Sequence, residues 1–600
     1  MNPRACRLPR DGAAEANDKP LKGERDMRFG SRGRGWLLAG AALALTGLAG
    51  SGQAATWEEM QKAGTQAKDW VNYGGDLGQM RYWPSTAINA GNIHRLHVKW
   101  IFQTGVVGSF ETTPVVDGGV MYVTTPYDHV FAVDAKTGKE LWHYQYKLGT
   151  NIFCCGPNNR GVVVVGDKVL FGTLDAHLVA LNKKTGDKIW DTEVADSQVG
   201  YSLTSAPTVY KNTAIIGIAG GEYGIRGFIS AYNIEDGKLV WRWHTIPSPD
   251  ETNPDGTKGW EGKFATKADG INDLHRDIAG EKAAIASGKD KDSWEHGGAG
   301  NWTTDSIDVK RGLIFASIGN PSPDLDGSDR PGDDRWSDSV VAIDANTGKM
   351  KWGYQAIPHD VWDLDEVSPP ILAEAKGPNG KMVDAVIQAG KTGWVYVLDR
   401  DTGKLIRRSA AMVPQENMFA LPTEKGTRML PGANGGVEWS SCAFNPATRL
   451  DYCVNLHQPM NYIVKHETWE DYRKRYAQAP NMWLGGAFVA IPTEKQYGNI
   501  TAVNVDTGKI AWQEKTEQPM IGGALTTKGD LVFAGQGNGT FAAYNAKTGK
   551  RVWSFEAGAG VNAAPMAFEI GGKPYIAVAA GGNFQLNFKY GTSVIVFGLD

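Results

Sequence analysis

Cysteine is scarce in this chain, with five residues among 600, and none falls in a Cys-x-x-Cys-His run. A covalently attached c-type haem is therefore not expected. An excess of charge of either sign is also missing: 62 lysines and arginines face 66 aspartates and glutamates, a formal net charge of -4. Such a balance gives no sign of nucleic-acid binding. Beyond residue 50 no apolar run is long enough to cross a bilayer, and extended helical periodicity is rare. Glycine is abundant instead, at 75 residues, which together with the shortage of helical periods points to an all-β chain.

The one sustained apolar stretch lies near the start. Met27 to Arg34 is basic, 36–50 is mostly apolar, and Gly52-Gln-Ala54 offers small residues where a signal peptidase reads. Residues 1–54 are expected to be a signal-peptide region, with Met27 the true initiator, directing the chain to the periplasm. Cys6 then drops out, leaving four cysteines in an oxidising compartment where disulfides persist. Cys442 and Cys453 flank Asn445-Pro-Ala-Thr-Arg-Leu450, which has the composition of a turn between strands, so a cross-hairpin bridge is expected there.

One phrase recurs at 132–142, 180–190, 231–241, 342–352, 502–512 and 543–553: apolar alternation, then Asx-x-x-Thr-Gly-Lys or a variant, then a tryptophan. A degenerate copy at 397–407 ends in Arg407, and Trp100 reads as the tail of another, making eight units. The turn needs glycine for a positive φ. Further strand-like runs between the turns, such as Val169-Leu-Phe-Gly-Thr, fit four-stranded blades. Residues 55–600 are thus expected to form an all-β, eight-bladed β-propeller with its tryptophans docked between blades. Polar excursions around 250–294 and 466–483 would lie as loops over one face, where binding mouths are built.

Cys154 and Cys155 are adjacent. A bond between them must span Cα atoms about 3.8 Å apart, less than the roughly 4.4 Å where ordinary disulfides begin. Either the pair is two small buried hydrophobes that happen to be neighbours, or it is a constrained ring of the kind that marks a functional site. Eight tryptophan repeats together with this pair resemble the quinoprotein alcohol dehydrogenases, which use pyrroloquinoline quinone (PQQ). The resemblance covers essentially everything after residue 55. It implies that Cys154 and Cys155 are bonded and form a wall over the quinone, that Arg160 binds it, and that the indole of Trp302 forms its floor. Glu111, Thr204, Lys391 and Asn455 match further quinone contacts. Glu222 in Gly-Glu-Tyr-Gly and Asn320 in Gly-Asn-Pro match metal ligands, and Asp363 in His359-Asp-Val-Trp-Asp-Leu-Asp365 matches the catalytic base and a further ligand.

The residue types suit these roles on physical grounds. A flat, polyanionic quinone needs flat apolar surfaces, which an indole and a disulfide provide, and hydrogen-bonding or positive groups at its rim. A hard cation needs oxygen donors; beside the quinone it acts as a Lewis acid, while Asp363 takes a hydroxyl proton. Taken singly, Glu222 and Asp363 read as solvated loop carboxylates, Trp302 as core and Asn320 as a turn former. Their order in one chain, each between repeats, favours the joint site. Glu222 and Asp363 supply two negative charges, enough for Ca2+. Asp365 would point the same way in an extended segment, bringing the count to three and suiting a lanthanide such as La3+ or Ce3+, as in lanthanide-using family members. Ala219, where relatives often have a hydroxyl, and Glu366, where many have glycine, place the substrate pocket rather than the cofactor in question.

The expected function is oxidation of a small alcohol, with electrons passed to a separate periplasmic cytochrome c and a homodimer as a possible assembly. Two alternatives stand beside it: a PQQ-dependent sugar or polyol dehydrogenase, and a non-catalytic propeller scaffold of outer-membrane assembly.

Overall fold

The repeat turn closes on its own side chain. Asp134 Oδ1 accepts from the backbone N–H groups of Lys136 and Thr137 at 3.1 and 2.8 Å, and Gly138 then takes φ +73°, open to glycine without a Cβ penalty. Asn182, Asp344, Asp399 and Asn545 do the same in their repeats. The glycine has a second reason to lack a Cβ: at Gly138 that atom would lie 2.7 Å from the Trp100 ring, and at Gly348 2.6 Å from Trp241.

In the computed structural model the described residues are 55–477 and 480–600; the expected signal region, 1–54, lies outside them. Among the described residues these turns build eight sheets of four antiparallel strands each, consecutive in all but two, and one sheet gains the parallel strand Tyr82–Trp83. The second sheet is representative. Its strands Val163–Val165 and Lys168–Gly172 are buried throughout, whereas the last strand, Lys188–Glu193, alternates between exposed and half-buried. Inner strands are therefore apolar on both faces, and the outermost meets water. Neighbouring sheets share cores: Tyr122 and Ala132 of one pack with Val169, Phe171 and Leu181 of the next, and Tyr452 and Ile500 pack with Val532 and Tyr544.

A β-bulge precedes the docking residue in every sheet, a tryptophan in seven and Arg407 in the eighth: Trp190 pairs with Ala180 and Lys188 with Leu181, leaving Ile189 over, and the others shift alike. The bulge re-aims the following side chain, and the indole N–H reaches a turn carbonyl of the next sheet. Trp100 donates to Ala135 at 3.2 Å, Trp142 to Lys183 at 3.1 Å, Trp190 to Ile234 at 2.9 Å, Trp241 to Ala345 at 3.1 Å, Trp352 to Arg400 at 3.1 Å and Trp512 to Ala546 at 2.9 Å. In the degenerate repeat the Arg407 guanidinium makes the same bond, to Val505 at 3.1 Å. Trp553 donates to Leu96 at 3.1 Å, returning to the start, where His97–Gln103 pairs with the C-terminal strand Ser593–Gly598.

The two excursions carry short elements of their own. The first holds a two-stranded ribbon and the helix Ile278–Ser287; the second holds the helix Trp469–Arg475 and strands Met460–Val464 and Gly486–Ala490, which join Thr427–Met429. No helix among the described residues is long and apolar enough to cross a membrane. Cys442 and Cys453 are bridged across the pair formed by Ala443–Asn445 and Leu450–His457, as their spacing predicts.

Trp142 and Trp190 are half-buried, while Trp241 is 8% exposed. Replacement of Trp241 by Ala should lower the free energy of unfolding by about 3 kcal/mol, the low end for a large aromatic in a core. Denaturant unfolding of the parent and the variant measures this, and an unchanged midpoint would contradict the docking role.

Candidate active site

The repeat places equivalent loop positions side by side. Glu111, Thr204, Trp302 and Trp439 each stand four residues before the first strand of a sheet, and Arg160 three before. Glu222, Asn320 and Lys391 come from loops between the second and third strands of successive sheets. These loops converge on one cavity, which Cys154, Cys155, Asn158, Asp363, Asp365, Glu438 and Gln585 also line. Of the expected site residues, all but Asn455 are there.

Cys154 and Cys155 are bonded to each other, with Cα atoms 3.8 Å apart. Cys154 is half-buried and Cys155 exposed, so they are not a pair of buried hydrophobes. Arg160 lies with its guanidinium carbon 5.3 Å from the Trp302 ring and 4.4 Å from the Trp439 ring. Its Nη2 is 3.0 Å from Glu111 Oε2, though the geometry of that contact leaves Oε2 without an aligned hydrogen bond. Glu111 Oε1 accepts from Asn583 Nδ2 at 2.8 Å, and burial lifts the Glu111 pKa to about 7 against the pull of Arg160. Thr204 Oγ1 donates to the Trp302 carbonyl at 3.2 Å.

Opposing charge is concentrated at one ammonium. Lys391 Nζ lies 2.6 Å from Asp363 Oδ1 and 2.7 Å from Asp365 Oδ2, and Asp365 Oδ1 accepts from the Asn320 backbone N–H at 2.9 Å. Burial lifts Asp363 well above the carboxylate range. Burial also pushes Asp365 upward, but Lys391 and the hydrogen bonds from Asp363 and Asn320 hold it below its ordinary value. Glu222, Asp324 and Glu438 are all raised, first by burial and then by repulsion from one another or from Asp365. The Asp324 Oδ1 atom has no partner. Five carboxylates thus surround a single lysine. Such a set is short of positive charge, and a bound cation would supply it.

Three expectations change. Asn455 is fully buried but away from the cavity: its Oδ1 accepts from Thr501 at 2.5 Å and its Nδ2 donates to the Gly436 carbonyl at 3.3 Å, so it ties strands and a loop together. Glu366 does not face the substrate space; it is buried beside Gly390 and accepts from Thr392 Oγ1 at 2.6 Å. Asp363 has φ +59°, so the segment is not regularly extended, and Asp363 and Asp365 meet through Lys391 rather than through strand alternation. Glu438, Trp439, Asp324 and Gln585 escape sequence reasoning. Trp439 had a detectable signal, because it occupies in the sixth sheet the loop position that Trp302 occupies in the fourth.

The chain matches the family described as PQQ glucose/ethanol/alcohol dehydrogenase, β-propeller domain, over residues 70–269, 275–416 and 404–576. It belongs to this family. Among curated relatives it is 36% identical to the quinoprotein alcohol dehydrogenase PedH of Pseudomonas putida, covering 91% of this chain and 90% of that protein. It is 32% identical to the putative dehydrogenase XoxF of Paracoccus denitrificans, covering 91% and 92%. Among solved structures, a europium-containing methanol dehydrogenase superposes with a TM-score of 0.78 at 27% identity, covering 90% of this chain and all of that one. The quinohemoprotein alcohol dehydrogenase of Comamonas testosteroni superposes with a TM-score of 0.76 at 30% identity, covering 88% and 80%. Membership in an enzyme family with these cavity residues sets aside the scaffold alternative.

The cavity fits the family's quinone and cation. An indole and a disulfide line it, Arg160 Nε and Asn158 Oδ1 are buried without partners, and the carboxylates await positive charge. Close approach is required at Gly319, where a Cβ would lie 2.3 Å from Asp365 Oδ1 and 2.9 Å from Trp302 Nε1. Gly319→Ala should therefore lose quinone retention while the propeller stays folded. Quinone absorbance after gel filtration, read beside the thermal unfolding midpoint, checks this; full retention would show that the close approach at Gly319 is not critical.

Proposed function

We propose that this chain is a periplasmic, eight-bladed quinoprotein that oxidises alcohols to aldehydes or ketones and passes the electrons to a separate cytochrome c. The observation that carries this is the meeting of Asp363, Asp365, Glu222 and Asn320 with the Cys154–Cys155 disulfide, Trp302 and Arg160 in one cavity. The names of the relatives, alcohol and methanol dehydrogenases among them, support alcohol as the substrate class.

Arg160, Asn158 and Thr204 would hold the quinone by its polar rim, with Trp302 and the disulfide against its faces, and Glu222, Asn320, Asp363 and Asp365 would hold the cation. When bound, the quinone supplies a two-electron acceptor and the cation a Lewis acid. The residues of the chain bind, orient and move the proton. Lys391 fixes Asp363 and Asp365 at 2.6 and 2.7 Å, so the Asp363 carboxylate is aimed before substrate arrives. Added positive charge lowers the Asp363 pKa, leaving it ionised to accept the hydroxyl proton of the alcohol as the carbon is oxidised. Trp302 and the buried Trp439 keep water from the apolar side of the cavity.

Asp363→Asn keeps the shape and removes the proton acceptor, so turnover should fall by roughly two to four orders of magnitude with quinone binding largely retained. Dye-reduction kinetics on the reconstituted variant measure this, and parental turnover would exclude Asp363 as the base.

For the cation we propose a lanthanide, with calcium as the alternative. Three carboxylates, Glu222, Asp363 and Asp365, suit a trivalent ion, and the europium in the methanol dehydrogenase supports this choice. Lanthanum or cerium should activate the enzyme well above calcium, and Asp365→Ala should lose that response. Activity titrated against each metal, with methanol, ethanol, secondary alcohols and glucose as substrates, tests the cation and the substrate class together; equal activation by calcium would overturn the lanthanide assignment.

A further inference from the structure

The second excursion reaches back over the cavity. Three consecutive residues, Met482-Trp483-Leu484, touch three different walls. Met482 Sδ lies 3.8 Å from Cys154 Sγ of the disulfide. The Trp483 backbone N–H donates to the Glu222 carbonyl at 2.6 Å, and the Leu484 carbonyl accepts from Leu325 N–H at 2.9 Å. Leu325 follows Asp324 in the loop that carries Asn320, so one short strap spans two of the loops that carry oxygen donors for the cation.

The strap is held by aromatic stacking. Trp469 lies parallel to His296, with centroids 4.3 Å apart and planes at 5°, and stacks on Tyr472 at 5.3 Å. Tyr472 stacks in turn on Trp483 at 5.6 Å. The Trp483 Nε1 atom donates to the Glu467 carbonyl at 3.0 Å, and Tyr472 Oη to the Asn481 carbonyl at 2.6 Å. Burial lowers the His296 pKa to about 4, so its ring is a neutral partner near pH 7. Trp469 also covers the Glu222 turn itself, because a Cβ on Gly224 would lie 2.3 Å from its ring.

The Glu222 turn needs such support. It runs through Gly220, Gly221 and Gly224, with Gly220 at φ +104° and Gly224 at φ +66°. Glycine gives a chain little stiffness of its own, so the direction of Glu222 must be imposed from outside the turn. The strap is placed to impose it.

We propose that Trp469 and Trp483 are positioning residues for the cation: the aromatic box they form holds the strap, and the strap fixes the separation of Glu222 from the Asn320–Leu325 loop. This rests on Glu222 and Asn320 being cation ligands. Partners that orient metal ligands are worth about tenfold to a hundredfold in metal affinity.

The test uses quinone-loaded full-length protein titrated with europium, following binding by calorimetry and the number of bound waters by luminescence lifetime. Trp469→Ala should raise the dissociation constant by about tenfold to a hundredfold and admit additional water to the ion. Saturating metal should restore kcat, and Trp469→Phe should bind as the parent does. If Trp469→Ala does not accumulate as folded protein, Trp469→Leu is read in the same way. Parental affinity and hydration in the folded variant, together with weakened binding in Glu222→Gln, would overturn the strap while leaving the cation site standing. Unchanged affinity in Glu222→Gln would remove the cation site itself, and the proposal with it.

Discussion

One hydrogen bond, repeated around the molecule, holds the fold together: an indole N–H on the outer strand of one sheet donating to a turn carbonyl on the next. A four-stranded sheet with both faces apolar cannot stand in water alone, so each needs a neighbour on either side. The indole suits this junction because it covers apolar area and satisfies a carbonyl with the same side chain. Arg407 shows which property is indispensable. Its guanidinium is a poorer apolar cover than an indole, yet it keeps the donor, to Val505, and the junction is formed. The pairing of His97–Gln103 with Ser593–Gly598 completes the last sheet, and Trp100 of that sheet donates to Ala135 of the first.

That arrangement creates the site and sets its electrostatics. Loops at equivalent positions deliver side chains from successive sheets to a common cavity, so residues hundreds of positions apart, such as Glu111 and Asn583, become hydrogen-bond partners. The delivered set is unbalanced, with Glu222, Asp324, Asp363, Asp365 and Glu438 around Lys391. Burying so many carboxylates is costly for folding, and protonation or a bound cation is the means of relief. A fold stabilised by its outer junctions can carry that cost at its centre, which is where a cation and an acceptor quinone would use it.

Much of this was legible in the chain. The Thr-Gly turns and their tryptophans recur because sheet after sheet meets the same local requirement, a left-handed glycine under an indole. Cys154 and Cys155 were visible because adjacent cysteines are conspicuous in a chain with so few. Glu222, Asn320, Trp302 and Asp363 stood out by their place between repeats. Glu438 and Gln585 carried no comparable local mark, and Asn455, buried in a strand with the same composition as its neighbours, resembled a site residue until its partners were known.

Local sequence determined the turns, the strand patterns, the number of tryptophan units and the residue types available to a flat acceptor and a hard cation, since each depends on backbone propensity and side-chain chemistry alone. Tertiary structure decided which of those residues share a cavity. It turned Glu366 toward Thr392 and Asn455 toward Thr501, brought Trp439 beside Arg160, and joined Asp363 and Asp365 through Lys391 with Asp363 in a left-handed conformation. The direction of a side chain in an irregular loop depends on contacts from distant sheets, and no local period in the chain encodes them.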